Sequence, residues 1–166
     1  MKVLWFSVTP SLFHSYSNSH NGGGWIASLE RIVRQVQEVE LGIAFNFAAE
    51  GFVYEQDGVK YYPISHESLE TYKQIIDDFK PDLIQIFGSE NDFGRICDTT
   101  EVPVVIHMQG CLPPYHNALL PVGMSKTDFI LQKGLSLRYR YIGLRSESAF
   151  RKRAKRELQT IGKCRY

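Results

Sequence analysis

The chain contains 166 residues, 43% of them hydrophobic and 22% charged, which is long enough and apolar enough to bury the core of one globular domain. Its net charge of +1 excludes a strong overall attraction to nucleic acid, and we expect no nucleic-acid partner. The three cysteines, Cys97, Cys111 and Cys164, are too few and too scattered for a disulfide framework or a zinc site.

The chain begins with a strand, a long loop and a helix. Residues 3–8 are apolar except for Ser7, which is typical of a strand covered on both faces. A polar loop over 9–21 leads to three glycines, and a helix is predicted to follow. Its expected core face comprises Trp25, Leu29, Ile32, Val33 and Val36, and its expected polar face comprises Glu30, Arg31, Arg34 and Gln37. We interpret Gly42 as a stop signal before a second strand over 43–47.

The middle of the chain continues this alternation of strands and helices. Gln56-Asp57-Gly58 is a turn signal, and it predicts a small hairpin between 52–54 and 59–62. Ser65 is the expected cap of a second helix, whose apolar face comprises Leu69, Tyr72, Ile75, Ile76 and Phe79. Strands are predicted over 83–87 and 104–108, with a short helix over 92–98 between them. This repetition indicates an α/β fold, a Rossmann-like three-layer sandwich with a mainly parallel sheet.

The pattern weakens after residue 112. Pro113-Pro114 is expected to break the chain, and residues 125–137 could form a helix or a loop. A basic helix is predicted over 146–161, and residues 163–166 look like the start of another strand. We therefore expect residues 1–166 to be one N-terminal domain, truncated before a second domain begins.

The glycine run Gly22-Gly23-Gly24 allows three interpretations. Glycines let a ligand approach the backbone closely, and the start of a helix offers free N–H groups that suit a phosphate. Gly22, Gly24 and Ala27 also fit the dinucleotide-binding pattern, with Glu50 where the ribose-binding acid should be. In that fold, however, the glycines follow the strand at once, whereas thirteen residues intervene here. A flexible linker is the third interpretation, and it is disfavoured because each glycine loses backbone entropy on ordering.

Several features follow one another in a specific order along the chain. They are the first strand with its long loop and Gly22-Gly23-Gly24-Trp25, the helix that carries Glu30 and Arg31, and the stretches KPDLIQIFGSE (80–90) and VPVVIH (102–107). In this order they resemble family 4 glycosyltransferases of the two-domain GT-B architecture, and the bacterial surface-polysaccharide transferases in particular. The helix with Arg153, Arg156 and Glu157 also resembles a segment of that family.

The resemblance implies that this domain binds the acceptor of a retaining glycosyltransferase. Such an enzyme moves a sugar from a nucleotide-sugar donor to a saccharide or lipid-linked acceptor. The family holds the donor in its C-terminal domain, through two glutamates spaced eight residues apart. Because that domain is missing from this sequence, the chain alone is expected to be inactive. The resemblance implies no metal, and no cofactor besides the nucleotide-sugar co-substrate.

The resemblance also assigns roles to individual residues. His107 would be the catalytic residue and support the transferring sugar, although its ring could instead pair with a backbone carbonyl. Trp25 would either begin the core of its helix or stack on a sugar ring. Glu90 would either bind acceptor hydroxyls or lie beside the start of a short helix. The substrate-binding residues of the glycine loop, close to the donor diphosphate, would be Gly22, Gly23 and Gly24.

Basic residues are concentrated at the C-terminal end of the chain. Residues 138–166 contain ten Lys or Arg and two Glu, a net charge of +8, which leaves −7 for residues 1–137. The stretch 138–157 could contact anionic lipid headgroups, which would suit a lipid-linked acceptor, or it could pack on the second domain. With no signal peptide and no long apolar run, we expect a cytoplasmic protein, located at the inner face of the membrane if 138–157 binds lipid.

Two other classes of function remain open from the sequence. A NAD-dependent oxidoreductase domain would bind a dinucleotide by itself. A non-catalytic α/β binding domain would have no pocket at the carboxyl ends of its strands. The ligand that this chain binds by itself therefore distinguishes these two classes from the transferase.

Overall fold

The computed structural model of the chain describes residues 1–13, 24–120, 122–132 and 136–163. Within these ranges the chain forms six strands, five α-helices and one 3₁₀ helix. The strands are β1 (Lys2–Ser7), β2 (Glu40–Asn46), β3 (Tyr54–Gln56), β4 (Val59–Ile64), β5 (Leu83–Phe87) and β6 (Val104–His107). The α-helices are α1 (Gly24–Val33), α2 (Leu69–Phe79), α3 (Leu112–Asn117), α4 (Lys126–Gln132) and α5 (Leu137–Ile161), and the 3₁₀ helix is Asp92–Asp98.

The strands pair into one sheet in the order β3-β4-β2-β1-β5-β6. Neighbouring strands are parallel except β3 and β4, which form the predicted antiparallel hairpin. The chain passes from β1 outward to β2 and β4, and then returns across the sheet to β5 on the other side of β1. This reversal of direction defines a doubly wound arrangement. The predicted Rossmann-like α/β sandwich with a mainly parallel sheet is confirmed.

Both faces of the sheet are covered, as continuously apolar parallel strands require. On one face, α2 and the 3₁₀ helix pack over a core whose largest fully buried side chains are Phe6, Tyr62, Tyr72, Phe79 and Phe93. On the other face, α1 packs over a second core that includes Trp5, Phe13, Phe45, Tyr61 and Phe87. Aromatic side chains are the largest fully buried residues of both cores, where each ring buries a large apolar area and packs against neighbouring rings.

Short-range sequence signals set the hairpin and the start of α2. Asp57 and Gly58 have φ values of 51° and 75°, as both central residues of a two-residue type I′ turn require. α2 begins after Ser68, whose side chain accepts a hydrogen bond from the Thr71 N–H at 3.1 Å. The prediction of Ser65 as this cap is therefore wrong, because the hydroxyl that reaches a free N–H of the first turn belongs to Ser68.

The predicted core face of α1 is only partly correct: Leu29 and Val33 pack against the second core, but Trp25, Ile32 and Val36 are exposed. Ile26 and Glu30 are the buried residues of the helix, whereas Trp25 and Ile32 are 42% and 61% exposed. The helix ends at Val33, before the last of the residues expected on its core face. α1 is thus turned so that a carboxylate faces the core, which is unfavourable unless the charge is paired and hydrogen-bonded.

Glu30 meets this condition through partners from three parts of the chain. The Arg34 Nε donates to Oε1 of Glu30 at 2.8 Å, and the Tyr61 hydroxyl donates to the same oxygen. The other oxygen, Oε2, accepts a hydrogen bond from the Leu12 N–H at 3.1 Å. Burial, and then the hydrogen bond to Glu30, raises the pKa of Tyr61. The phenol of Tyr61 therefore stays a neutral hydrogen-bond donor. The bond from Leu12 attaches the segment after β1 to α1.

Two further sequence predictions, for Gly42 and for Pro113-Pro114, are wrong. Gly42 is not a stop signal but lies inside β2, where a Cβ would come within 2.9 Å of the Phe79 ring. Pro113 and Pro114 do not break the chain, because they lie in the first turn of α3. Backbone N–H groups in the first turn have no acceptor within the helix, so prolines are tolerated there.

The C-terminal part of the chain is more helical than predicted. α5 begins at Leu137 rather than at residue 146. Of the two alternatives for residues 125–137, the helix is correct over Lys126–Gln132, which is α4. The strand predicted over 163–166 lies mostly outside the described residues. α5 packs against α3, α4 and the 3₁₀ helix, so these elements form a helical layer beside the sheet.

We expect Glu30→Ala to lower the free energy of unfolding by about 2 kcal/mol or more, because the Leu12 N–H and the Tyr61 hydroxyl lose a charged acceptor and Arg34 keeps only its exposed ion-pair partner Asp57. Urea unfolding followed by circular dichroism measures this change. Glu38→Ala is the matched control, since Glu38 is exposed just beyond the same helix, and it should change stability by less than about 0.5 kcal/mol. Equal losses in the two variants would contradict a specific role for the buried carboxylate.

Candidate functional site

The order of the strands reverses between β1 and β5, and this reversal locates a crevice. In open α/β sheets, ligands bind outside the carboxyl ends of the strands at such a switch point. Here the crevice is bounded by the residues that follow Ser7 of β1, Phe87 of β5 and His107 of β6. The first turn of α1, at Gly24 and Trp25, borders the same edge. The chemistry of the site therefore depends on the side chains at these strand ends.

An aromatic cluster of Trp25, Phe87 and His107 lies at this edge. The Trp25 ring is 5.3 Å from the Phe87 ring and 5.1 Å from the His107 ring, measured between centroids. Phe87 and His107 pair across β5 and β6, with ring centroids 6.0 Å apart. Phe87 is buried, whereas Trp25 is 42% exposed and His107 is exposed as well. The expectation that Trp25 begins the helix core is wrong, because its side chain is exposed. The buried Phe87 ring lies beneath the Trp25 indole and the His107 imidazole, which both face solvent.

The turn after β5 brings Glu90 to the same place. Gly88 has a φ of 91°, and its N–H donates to the His107 carbonyl oxygen at 2.9 Å. A Cβ at Gly88 would come within 2.7 Å of the Glu90 carboxylate, which shows that this carboxylate folds back over the glycine. Gly88 therefore contacts both of the polar residues that were predicted from the ends of β5 and β6.

Glu157 is a residue of this edge whose position the sequence did not reveal. It lies on α5 and is fully buried. Its Oε2 accepts a hydrogen bond from the Ser89 Oγ at 3.0 Å, and its Oε1 accepts one from the Leu112 N–H at 2.9 Å. The signal that could have found it is its isolation, because it is the one acidic residue in the sequence after Glu147. An acid alone in a basic helix is a candidate for an inward-facing position.

The glycine loop that was predicted to bind substrate is only partly described. Gly22 and Gly23 lie outside the described residues. Gly24 is the first residue of α1 and is exposed, with open space around the position of a Cβ. Glu50, the ribose-binding acid of the dinucleotide alternative, is exposed in the loop after β2. In the described ranges, no three His, Cys, Asp or Glu side chains lie close enough together to hold a metal ion.

A cavity of about 240 Å³ lies between the 3₁₀ helix and the end of α5. Its charged lining residues are Arg95, Asp98, Arg156 and Lys163. Both arginines pair with Asp92, at 2.9 and 2.8 Å, and Lys163 pairs with Asp98 at 2.6 Å. Because each of these cations already has a carboxylate partner, the cavity offers little free charge to a ligand. The edge with Trp25 and His107 is therefore the better candidate site.

α5 turns its acidic residues inward and its basic residues outward. Glu157 is buried, and the side chain of Glu147 is 15% exposed and pairs with Lys126 at 3.0 Å. The hydrogen bond from Lys126 lowers the pKa of Glu147. The exposed basic residues of the helix include Arg138, Arg145, Arg151, Lys152, Arg153 and Lys155, and the exposed apolar ones include Tyr141, Ile142, Leu144 and Leu158. None of the helices in the described part of the chain is long and apolar enough to span a membrane.

No protein-family model and no curated protein matches the chain. Its structure is similar to that of a sucrose-phosphate synthase from Thermosynechococcus elongatus, with a TM-score of 0.54 and 8% sequence identity. The match covers 80% of this chain and 39% of the synthase chain, so this chain spans less than half of the protein it matches. At this identity the likeness shows the fold alone, an α/β domain with a mostly parallel sheet.

We expect Gly88→Ala to destabilise the chain and to displace the Glu90 carboxylate. A φ of 91° strains a residue with a side chain by about 1–2 kcal/mol, and the new Cβ would lie 2.7 Å from a Glu90 oxygen. Gly58→Ala is the matched control, because Gly58 has a φ of 75° and open space around it. Urea unfolding gives both free energies, and NMR should show shifted Glu90 and His107 resonances for Gly88→Ala alone. Shifts in neither variant would contradict the contact between Gly88 and Glu90.

Proposed function

We propose that this chain is the acceptor-binding half of a retaining glycosyltransferase, which moves a sugar from a nucleotide-sugar to a saccharide or lipid-linked acceptor. The observation that carries the proposal is the pair of exposed rings at the switch point, where the Trp25 indole lies 5.1 Å from the His107 imidazole. The structural likeness to the synthase supports the proposal at the level of the fold. The finer assignment, to family 4 and to surface-polysaccharide assembly, rests on the sequence resemblance.

The groups at this edge match the chemistry of a hexose ring. A hexose combines apolar C–H faces with hydroxyl groups at the ring edge. Trp25 offers a flat apolar face that is supported by Phe87, and aromatic side chains commonly line ligand sites. An imidazole can donate or accept a hydrogen bond and a carboxylate accepts one. In this proposal His107 supports the transferring sugar, and Glu90 orients the acceptor hydroxyl.

The donor nucleotide is proposed to bind elsewhere, on a second domain. β1 ends at Ser7 and α1 begins at Gly24, so α1 does not follow β1 through the tight turn that holds the pyrophosphate in dinucleotide-binding domains. This separation disfavours the NAD-dependent oxidoreductase alternative. The chain also covers 39% of the synthase chain it resembles, which leaves room for a second domain in a protein of that architecture. The chain alone should therefore bind an acceptor saccharide without transferring sugar.

We expect the isolated chain to bind methyl α-D-glucopyranoside weakly, at millimolar concentrations, through Trp25. Two-dimensional NMR can follow the two indole N–H signals of the chain during the titration. The Trp25 signal should shift, whereas the Trp5 signal should not, because Trp5 is only 2% exposed and provides an internal reference. Trp25→Ala should weaken binding roughly fivefold to tenfold, since an aromatic contact contributes about 1 kcal/mol. Because this variant lacks the Trp25 signal, its binding is followed through the backbone amide signals of residues 88–90.

The matched control for Trp25→Ala is Tyr115→Ala, because Tyr115 is a 65% exposed aromatic residue on α3. This control should bind the glucoside as the unmodified chain does. The same titration with NAD and with UDP should leave the Trp25 signal in place. Micromolar binding of NAD would overturn the proposal in favour of an oxidoreductase, and no response to saccharides in a panel of hexosides would favour a non-catalytic binding domain.

The exposed face of α5 is proposed to contact the anionic lipids of a membrane that carries the acceptor. Its exposed lysines and arginines have no exposed acidic neighbour on the same helix, because Glu147 is paired and Glu157 is buried. Apolar side chains such as Tyr141 and Leu144, which are 63% and 53% exposed, lie between the cations. This combination is typical of helices that lie on a lipid surface. A lipid-linked acceptor would then be presented from the membrane to the edge with His107.

We expect the double variant Lys152→Gln, Lys155→Gln to weaken binding to phosphatidylglycerol vesicles by roughly tenfold or more, because each cation near an anionic surface contributes about 1 kcal/mol. Vesicle flotation at two salt concentrations measures the binding, which should fall as salt rises. The double variant Arg31→Gln, Lys73→Gln is the matched control, because both side chains are exposed on other helices. Equal binding to phosphatidylcholine vesicles, or equal losses in the two variants, would contradict the proposed membrane contact.

A further inference from the structure

One buried carboxylate joins two loops of the candidate site. The Ser89 Oγ donates to one oxygen of Glu157 at 3.0 Å, and the Leu112 N–H donates to the other at 2.9 Å. Ser89 belongs to the turn after β5, and Leu112 is the first residue of α3, in the segment that follows β6. A side chain of the helical layer therefore holds the turn after β5 and the segment after β6 at a fixed separation.

The energetics indicate that the carboxylate at position 157 is there for geometry rather than for stability. Glu157 is fully buried, and no Lys, Arg or His of the described residues forms an ion pair with it. A buried carboxylate without a cation loses its hydration and regains only part of it through hydrogen bonds. A leucine of similar size would avoid this penalty. What a leucine could not do is accept hydrogen bonds from two separate loops at once.

The two loops that Glu157 joins carry the polar groups of the proposed acceptor site. Ser89 lies between Gly88 and Glu90, and the Gly88 N–H is bonded to the His107 carbonyl oxygen at 2.9 Å. On the other side, residues 108–111 connect His107 to Leu112. The bonds to Glu157 therefore close a ring of contacts. The ring runs from Glu157 to Ser89 and Gly88, across to His107, and along the backbone to Leu112, which returns to Glu157.

We propose that Glu157 is a positioning residue of this site. It holds the turn with Ser89 and Glu90 against the segment after His107. Glu90 and His107 can then contact the same acceptor saccharide. This role rests on the proposed function of the edge, while the ordering of the two loops is a property of the chain itself. The two parts can therefore be tested separately.

Two substitutions at position 157 separate positioning from core packing. Glu157→Leu fills a similar volume but removes both acceptors. Glu157→Gln keeps a carbonyl oxygen for the Leu112 N–H and offers its amide N–H to the Ser89 Oγ, which can accept as well as donate. We expect the leucine variant to melt close to the temperature of the unmodified chain, because the relieved desolvation of the carboxylate offsets the two lost hydrogen bonds. It should nevertheless exchange the Leu112 amide hydrogen roughly tenfold faster, in keeping with the loss of one charge-assisted hydrogen bond.

NMR of the same variants tests the link to the acceptor site. The leucine variant should also show shifted amide signals for residues 88–90 and should bind methyl α-D-glucopyranoside several times more weakly, while the glutamine variant restores all three readouts. Unchanged 88–90 signals and Leu112 exchange in the leucine variant would overturn the positioning role. A glutamine variant as defective as the leucine variant would also overturn it. In that case, restoring the two hydrogen bonds would not restore the order of the two loops.

Ser89→Ala provides a second, milder test in case the leucine variant does not fold. It removes one hydroxyl and leaves the Leu112 bond in place, so the 88–90 signals should shift while the Leu112 amide stays protected. Unchanged 88–90 signals would contradict the proposal. If the unmodified chain does not bind the glucoside at all, the proposed function fails, and the exchange and shift data still decide whether Glu157 orders the two loops.

Discussion

The architecture of this domain depends on the pairing of β1 on both of its edges. β2 is hydrogen-bonded to one edge and β5 to the other, and both pairs are parallel. Parallel strands need right-handed crossovers, so the connection from β1 to β2 must lie on one face of the sheet, and the connections from β4 to β5 and from β5 to β6, which run the opposite way across the sheet, must lie on the other. One face is therefore covered by α1, and the other by α2 and the 3₁₀ helix. Where the connections diverge, a crevice opens at the carboxyl ends of β1 and β5.

Elements whose signals are local could be predicted from the sequence. Runs of apolar residues indicate the buried parallel strands, the Asp57-Gly58 pair indicates the hairpin, and helical spacing indicates the apolar face of α2. The face of α1 could not be predicted in this way. Glu30 is buried only because Arg34, Tyr61 and the Leu12 N–H all reach its carboxylate, and two of these partners come from other parts of the chain. Helical periodicity treats Glu30 as polar, so it places Leu29 and Val33 correctly but predicts Trp25 and Ile32 on the core face in place of Ile26 and Glu30.

The residues of the candidate site likewise divide into those that the sequence predicts and those that it does not. The placement of Glu90 and His107 at strand ends follows from the parallel topology, and the structure does bring both to Gly88. The exposure of Trp25 does not follow from its spacing, because it depends on how far α1 is turned by the burial of Glu30. The inward position of Glu157 depends on how α5 packs against the turn after β5. Long-range contacts thus determine which side chains line the crevice, while chain order determines where the crevice lies.

Two buried glutamates flank this crevice and solve the same physical problem. Loops beyond the ends of a sheet have no ladder partners, and their backbone N–H groups still need acceptors when they pack against protein. Glu30 supplies one to Leu12 in the segment after β1, and Glu157 supplies one to Leu112 in the segment after β6. Each carboxylate lies on a helix, so each loop is fixed to a rigid element of the fold. A binding edge that is ordered before its ligand arrives loses less entropy on binding. This is a physical reason to place buried carboxylates on both sides of the proposed acceptor site.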